Sequence, residues 1–464
     1  MIAALAILAL APAQEASETA LREDALRALR RAVEFYRTRV ARHGGYVWYT
    51  SLDLTERWGE GKAAPDEIWV QPPGTPTVGM AYLAAWEATK EKLFLEAARE
   101  AAGALLYGQL QSGGWTNLID FDPAGGRRVG KYRGGKGGSW NVSSLDDDQT
   151  PSALRFLIRM DRALEFRDEK VHEAVLYGLE ALLKAQFPNG GFPQVWTGPV
   201  PARPVVAAGY PDYDWKTERR VKNYWDLYTL NDGIAGRVFE VLAEAHAATG
   251  EERFAAAIRK LGDFLVLAQM PDPQPAWAQQ YTEEMRPAWA RKFEPPAVAS
   301  AESQDVIETL VRISRRSGDR KYLDPVPRAL EYLRTSLLPD GRLARFYELR
   351  TNRPLYMDAE YRLTYDDSSA PDHYGWKVAS RLGELKDLLA QAREGRAPPP
   401  ASRKDLEREV RRAVASLDAE GRWVSTYEGG RLGGRPRFSP GFRYLDSAVF
   451  SRNVELLAAW LAGR

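Results

Sequence analysis

A turn that recurs six times constrains this chain more than any other feature. Short Gly- or Pro-rich turns centre on Gly44-Gly45-Tyr46, Gly113-Gly114-Trp115, Gly190-Gly191-Phe192, Pro273-Gln274-Pro275, Pro339-Asp340-Gly341 and Glu420-Gly421-Arg422-Trp423. Each ends a helix-like run and leads into an aromatic or polar residue. The intervals run roughly 65 to 85 residues, the length of two helices with their loops. One helix pair cannot bury its apolar stripe alone, whereas pairs stacked in a ring can. The spacing predicts an all-α fold, an α/α toroid with long loops and a few short strands. The turns would then gather at one end of the ring, where a groove forms.

Composition limits the function classes. The 464 residues carry 64 basic and 63 acidic side chains, a net charge of +1. A nucleic-acid footprint would be strongly basic, so nucleic acid is excluded as the expected partner. Cysteine is absent, which removes disulfides and thiolate metal sites. Residues Ile2 to Ala11 form an apolar run too short to span a bilayer, followed by small-residue Ala11-Pro12-Ala13. Residues 1–13 are read as a signal peptide, which predicts a secreted or periplasmic protein. No later segment reads as transmembrane, so no membrane partner is expected.

Apolar periodicity predicts helices over Ala20 to Arg42, Thr75 to Lys90, Glu91 to Leu110, Thr150 to Phe166, Glu169 to Gln186, Asp232 to Gly250 and Glu251 to Gln269. Further helices are predicted over Glu302 to Gly318, Asp319 to Leu338, His373 to Gly395, Lys404 to Leu417 and Leu445 to Gly463. Strand signals are confined to Leu343 to Tyr347 and Tyr361 to Tyr365. Ala397 to Ser402 is a Pro-rich linker inside the array. Residues 14–464 are read as one domain, and the protein as a monomer.

Two connections, Phe121 to Asp146 and Thr197 to Leu230, are far longer than ordinary loops. The first carries Arg127, Arg128, Lys131, Arg133 and Lys136, and the second Lys216, Arg219, Arg220 and Lys222. Two basic loops in a neutral chain suit an anionic ligand, as well as plain solvation. Asp146-Asp147-Asp148 ends the first loop just before a helix whose first position suits Pro151. Acids at a helix start are ordinary caps, but three together repel one another, and a cation would relieve that. With no Cys and four His, such a cation would be hard and oxygen-bound, and Ca2+ is the natural candidate. Asn231-Asp232 holds the equivalent place one repeat later. Asp146, Asp147 and Asp232 are therefore the candidate metal ligands. Arg291-Lys292 and the group Arg345, Arg350, Arg353 and Arg362 offer forks for carboxylates.

At these residues the chain resembles the family-10 pectate lyases. Ser144-Leu145-Asp146-Asp147-Asp148-Gln149-Thr150 is similar to that family's Thr-Ile-Asp-Asn-x-Ala-Thr. Phe187 to Gln194 resembles its Pro-Asn-Gly-Gly-Trp-Pro-Gln, and Leu230-Asn231-Asp232 its Phe-Asn-Asp. Trp277 to Tyr281, Ala290 to Pro296, Ala301-Glu302-Ser303 and Ala344 to Pro354 follow in family order, so the likeness runs from about residue 45 to 380. The resemblance implies an α/α toroid and calcium-assisted β-elimination of polygalacturonate, an acidic polysaccharide. Arg291, Arg345, Lys292 and Trp115 are the candidate substrate-binding residues, and the resemblance implies an arginine as base. The family reads hydrophobic-x-Gly-Arg-Asp-Gly after Thr-Asn-Arg-Pro. Here the chain reads Leu355-Tyr356-Met357-Asp358-Ala359-Glu360, so Ala359 stands at or near the base position. Arg353 and Arg362 are the candidate replacements.

Three other readings compete. A homologue that lost its base would bind polysaccharide without cleaving it. Gln109 to Trp115 and Gln186 to Phe192 also resemble the Gln-Trp repeats of toroidal terpene cyclases, although Asp146-Asp147-Asp148 lacks their Asp-x-Asp-Asp spacing. A toroidal glycoside hydrolase would use Asp146 and Asp232 as its carboxylate pair.

Overall fold

The computed structural model describes residues 2–122, 129–134, 137–217, 222–397, 402–434 and 436–463, with backbone alone for 2–17. Arg127, Arg128, Lys136, Arg219, Arg220 and most of the 397–402 linker lie outside the described residues.

Twelve α-helices are described. They are α1 (Ile2–Phe35), α2 (Thr75–Thr89), α3 (Lys92–Gly108), α4 (Gln149–Ala163), α5 (Glu169–Lys184), α6 (Ile234–Thr249), α7 (Glu252–Leu267), α8 (Ser300–Ser317), α9 (Val326–Thr335), α10 (Leu382–Arg393), α11 (Arg403–Ser416) and α12 (Ser447–Leu461). Even-numbered helices form an inner circle in which α12, α2, α4, α6, α8 and α10 pack in succession. Odd-numbered helices back them from outside. Burial follows this division. Inner α4 buries residues on nearly every side, whereas outer α11 buries only Val410 and Ala413. Gly79 of α2 shows how closely the inner helices approach, since a Cβ there would sit 2.3 Å from the Phe156 ring of α4. The molecule is an α/α toroid.

The six turns form one repeated device. Each follows an outer helix, and all six close with the same three-residue hydrogen bond. These run from Gly45 N to Arg42 O, Gly113 N to Leu110 O, Gly190 N to Phe187 O, Gln274 N to Pro271 O, Gly341 N to Leu338 O and Gly421 N to Asp418 O, all at 2.8–3.2 Å. Gly113 and Gly190 sit at φ 98° and 97°, where a side chain would be strained. A glutamine staples three of the turns to the next outer helix or its approach. Gln109 Nε2 donates to Gly113 O and Ala174 O, Gln186 Nε2 to Gly190 O and Ala257 O, and Gln269 Nε2 to Pro275 O and Pro325 O.

The helix boundaries differ from expectation at four places, the first being α1, which runs Ile2–Phe35 rather than from Ala20. The run Asp319 to Leu338 is broken into a one-turn helix, Arg320–Leu323, and α9. Pro325 separates them, because proline lacks the N–H a continuous helix needs. The run from His373 begins as loop and a short strand, Lys377–Val378, and α10 starts only at Leu382. Trp376 holds that loop by donating Nε1 to Pro371 O at 2.8 Å. Pro151 lies two residues inside α4, which begins at Gln149.

Short antiparallel strands dress the turn-bearing end. Tyr49–Ser51 pairs with Arg443–Asp446 in the register Tyr49↔Asp446, joining the first repeat to the last. Inside the ring, charge rather than oil links neighbouring helices. Arg155 of α4 pairs with Asp148 and with Glu240 of α6, and Arg312 of α8 reaches Glu240 at 3.0 Å. Among the described residues no helix is long and apolar enough to cross a membrane.

Candidate active site

The inner helices all begin at the end of the ring where the turns gather, and the candidate acids precede two of them. One-turn helices Asp146–Asp148 and Asn231–Gly233 lead into α4 and α6 and touch each other. Their backbones repeat. Leu145 and Leu230 have matching angles, Asp147 and Asp232 both turn left-handed at φ 46° and 53°, and Asp148 and Gly233 do so at 61° and 69°. Asp147 is therefore the positional counterpart of Asp232, and Asp146 that of Asn231. Aspartate tolerates this conformation better than most residues. The acids are not caps. Asp148 occupies the N-cap position without a side-chain cap bond, and its carboxylate pairs with Arg155 instead.

The carboxyls of Asp146 and Asp232 lie within hydrogen-bonding reach of each other. Burial, then Asp146, Asp147 and Glu302, pushes Asp232 well above the usual carboxyl range. Burial, Asp146 and Glu60 push Asp147 up to about 6. Both residues nevertheless keep a solvent-exposed face. They are surrounded by protein yet open to solvent, and the exposed face tempers the effect of burial. Asp147 is also drawn aside, because Gln71 Nε2 donates to its Oδ2 at 2.8 Å.

Cationic groups face these acids. Burial opposes the charge of Arg345, but Glu302, Tyr374 and Asp232 together raise its pKa above the ordinary value. Its Nη2 donates to Glu302 Oε1 at 3.1 Å, and its guanidinium lies 4.6 Å from the Tyr374 ring centre. Arg291 is likewise raised against burial, by Glu294, Tyr374 and Asp232. It holds Glu294 through two bonds of 2.8 and 2.6 Å and remains half exposed. Burial alone would raise Glu294, but the Arg291 pair prevails and holds it below the usual range. Glu302, Glu294, Tyr374, Gln71 and Glu60 complete the cluster. Of these only Glu302 and Glu294 fell within quoted motifs, and nothing local in the sequence marks Tyr374, Gln71 or Glu60.

The donor set tests the expected cation. Among the described residues no three acidic or histidine side chains converge on one point as ligands. Two carboxyls, Asp146 and Asp232, do approach each other. The side-chain oxygens of Asn231 and Gln71 are buried without a partner, and their amide groups bond Asp232 and Asp147. A hard cation fits an all-oxygen set of this kind, with water or substrate filling its shell.

The other expected residues lie elsewhere. Trp115 is corrected from a substrate-binding residue to a core anchor. It is wholly buried and donates Nε1 to Leu105 O at 2.9 Å. Trp277 and Trp423 make the same anchor to Leu265 O and Ala413 O after their own turns. Arg362 is on an exposed hairpin, engaged by Asp358 and Glu360. Arg353 stacks on the Tyr365 ring at 3.3 Å. Neither guanidinium pairs with the acidic cluster. Ala359 is exposed at the tip of the same hairpin. Lys292 borders the site, with its Nζ 3.6 Å from the Tyr361 ring centre. Lys216 of the second basic loop pairs with Glu348 at 2.5 Å, and Arg133 of the first with Glu173.

Comparison with known proteins adds the following. Residues 109–336, just under half of the chain, match the pectic acid lyase family. No curated protein matches the chain. Among solved structures, a family 10 polysaccharide lyase from Cellvibrio cellulosa, a mutant in complex with trigalacturonic acid, is 19% identical, with 69% of this chain and 97% of that chain covered and a TM-score of 0.48. A cellobiose 2-epimerase from Spirochaeta thermophila is 16% identical, with 96% and 98% covered and a TM-score of 0.48. A type II terpene cyclase from Scytonema is 13% identical, with 96% and 99% covered and a TM-score of 0.37. The matched segment holds Asp146, Asp232, Arg291 and Glu302, and over that segment the chain is similar to the pectic acid lyases.

Proposed function

We propose that this protein is a secreted or periplasmic lyase that acts as a monomer and cleaves polygalacturonate or a related uronan by calcium-assisted β-elimination. One observation carries the reading: Asp146 and Asp232, from two adjacent inner-helix starts, interact with each other, and Asp232 interacts with both Arg291 and Arg345. A uronate ring presents a carboxylate beside the C5 proton. Arg291 and Arg345 are placed to grip that carboxylate and to stabilise the charge that develops on it as the proton leaves. The C5–H electron pair becomes the C4=C5 double bond, and the C4–O4 bond breaks with its electrons on O4. Asp146 and Asp232 would hold Ca2+, which supplies further charge neutralisation at the uronate when bound.

The base remains assigned to Arg353 or Arg362. Arg362 shares its hairpin with Tyr361, against which Lys292 packs, and it can take the C5 proton only after releasing Asp358 and Glu360, which hold it protonated, and giving up its own proton to solvent. Those pairs, with Ala359 beside them, favour a second reading in which the protein binds the polymer without cutting it. The test is to mix the protein with polygalacturonate in calcium and in chelator and follow the ultraviolet absorbance of the conjugated, unsaturated product. A calcium-dependent rise supports the lyase. No rise on several uronans sinks it and leaves the binding reading. Loss of the rise in Arg362→Ala rules that second reading out.

A further inference from the structure

A second hollow, of about 600 Å3, opens beside the acidic cluster. Glu60, Trp69, Asn117 and Trp140 form its walls. Short hydrogen-bonded links join its wall to the site. The backbone N–H groups of Val70 and Gln71 both donate to Asn117 O, at 2.8 and 3.1 Å, and the Gln71 side chain then holds Asp147. Glu60 belongs to both places, since its carboxylate interacts with Asp146 and Arg291 while lining the hollow.

The walls are unusual for this molecule. Trp140 leaves 56% of its surface in solvent, whereas Trp69, Trp115, Trp277 and Trp289 are fully buried. Its backbone is fixed, with Lys131 N donating to Trp140 O at 2.6 Å. An indole held open on a fixed backbone offers a flat apolar face of the kind that stacks on the C–H face of a sugar ring. Trp69, buried in the wall behind, carries an indole N–H with no partner. Among the described residues, Glu60 is the single charged residue lining the hollow, and it is acidic. A uronate carboxylate seated there would meet a like charge, while the guanidinium groups of Arg291 and Arg345 belong to the neighbouring cluster.

We propose that this hollow is a sugar subsite that takes a ring without a free carboxylate, either a methyl-esterified uronate or a neutral sugar, next to the uronate held at the acid–arginine cluster. The proposal rests on the uronan reading above and names the substrate feature that the adjoining subsite selects: alternation of charged and uncharged rings.

The test is calorimetric binding of trigalacturonate and of its partially methyl-esterified form to the full chain, run alongside the product assay. Trp140→Ala, whose exposed side chain lets the fold stand (checked by circular dichroism), is expected to weaken the esterified trisaccharide about tenfold and trigalacturonate less than about threefold. Glu60→Gln is expected to narrow the difference by improving trigalacturonate. Equal losses for both ligands in Trp140→Ala, or none, overturn the subsite and leave the lyase reading untouched. Failure of the product assay with selective loss on the esterified ligand keeps the subsite and removes the lyase. Absence of binding by either ligand overturns both.

Discussion

At Asp232 two requirements conflict. Folding disfavours a carboxylate packed against Asp146 among Asp147 and Glu302, whereas a cation and an anionic sugar need that charge in place. The left-handed backbone at φ 53° narrows the residues that fit there. Asparagine keeps the shape and removes one charge. Asp232→Asn is therefore expected to raise the melting temperature slightly and to weaken calcium binding at least about tenfold, about 1.4 kcal/mol, with product formation falling in parallel. Calorimetry with calcium and the product assay check this, and unchanged calcium affinity would remove Asp232 from the ligand set. Repeat position brought Asp146 and Asp232 forward in the sequence and clustering brought Arg291 and Arg345 forward, and the structure sets both arginines near Asp232. Trp115 was misleading, because an aromatic after a turn reads alike whether it faces sugar or core. Glu60, Gln71 and Tyr374 come from segments far apart in the chain, so only the closed ring reveals them as neighbours.

Among the elements, the stapled turn sets the geometry on which the site depends. Gln109 is wholly buried, and its amide satisfies carbonyls in its own turn and in α5, while its Oε1 accepts from Arg133 at 2.7 Å. Gln109→Ala strands those buried groups. A loss of about 2–3 kcal/mol in urea unfolding is the expected result, with the Asp146 loop, which follows the same turn, loosened as judged by faster amide exchange. A loss below about 0.5 kcal/mol would show the staple to be ornamental. The recurring turns were readable because glycine at positive φ leaves a mark in sequence. Helix limits were less so. Pro325 breaks a run whose apolar spacing continues past it, and the loop before α10 is held by Trp376, a tertiary anchor that periodicity does not register.

For the whole molecule, the ring was legible from repeat spacing alone, but the contents of its centre were not. Periodicity marks the faces that pack on neighbouring helices, and the inward charges of Arg155, Glu240 and Arg312 look like ordinary solvated positions until the helices are set in a circle. Glu240 and Arg312 line one of two separate hollows. That one, of about 280 Å3, borders Asp232 at the turn-bearing end, and the other, of about 570 Å3, is at the opposite end near Trp86 and Arg162. The ion pairs tie α4, α6 and α8 to one another. On the proposed lyase reading, a polymer lies across the turn-bearing rim like a rope over a capstan, with both ends free, and scission then falls at interior linkages. A polygalacturonate solution should accordingly lose most of its viscosity while only a small share of its bonds has been broken, and viscosity falling only in step with bond breakage would mean that the chain is gripped by its end.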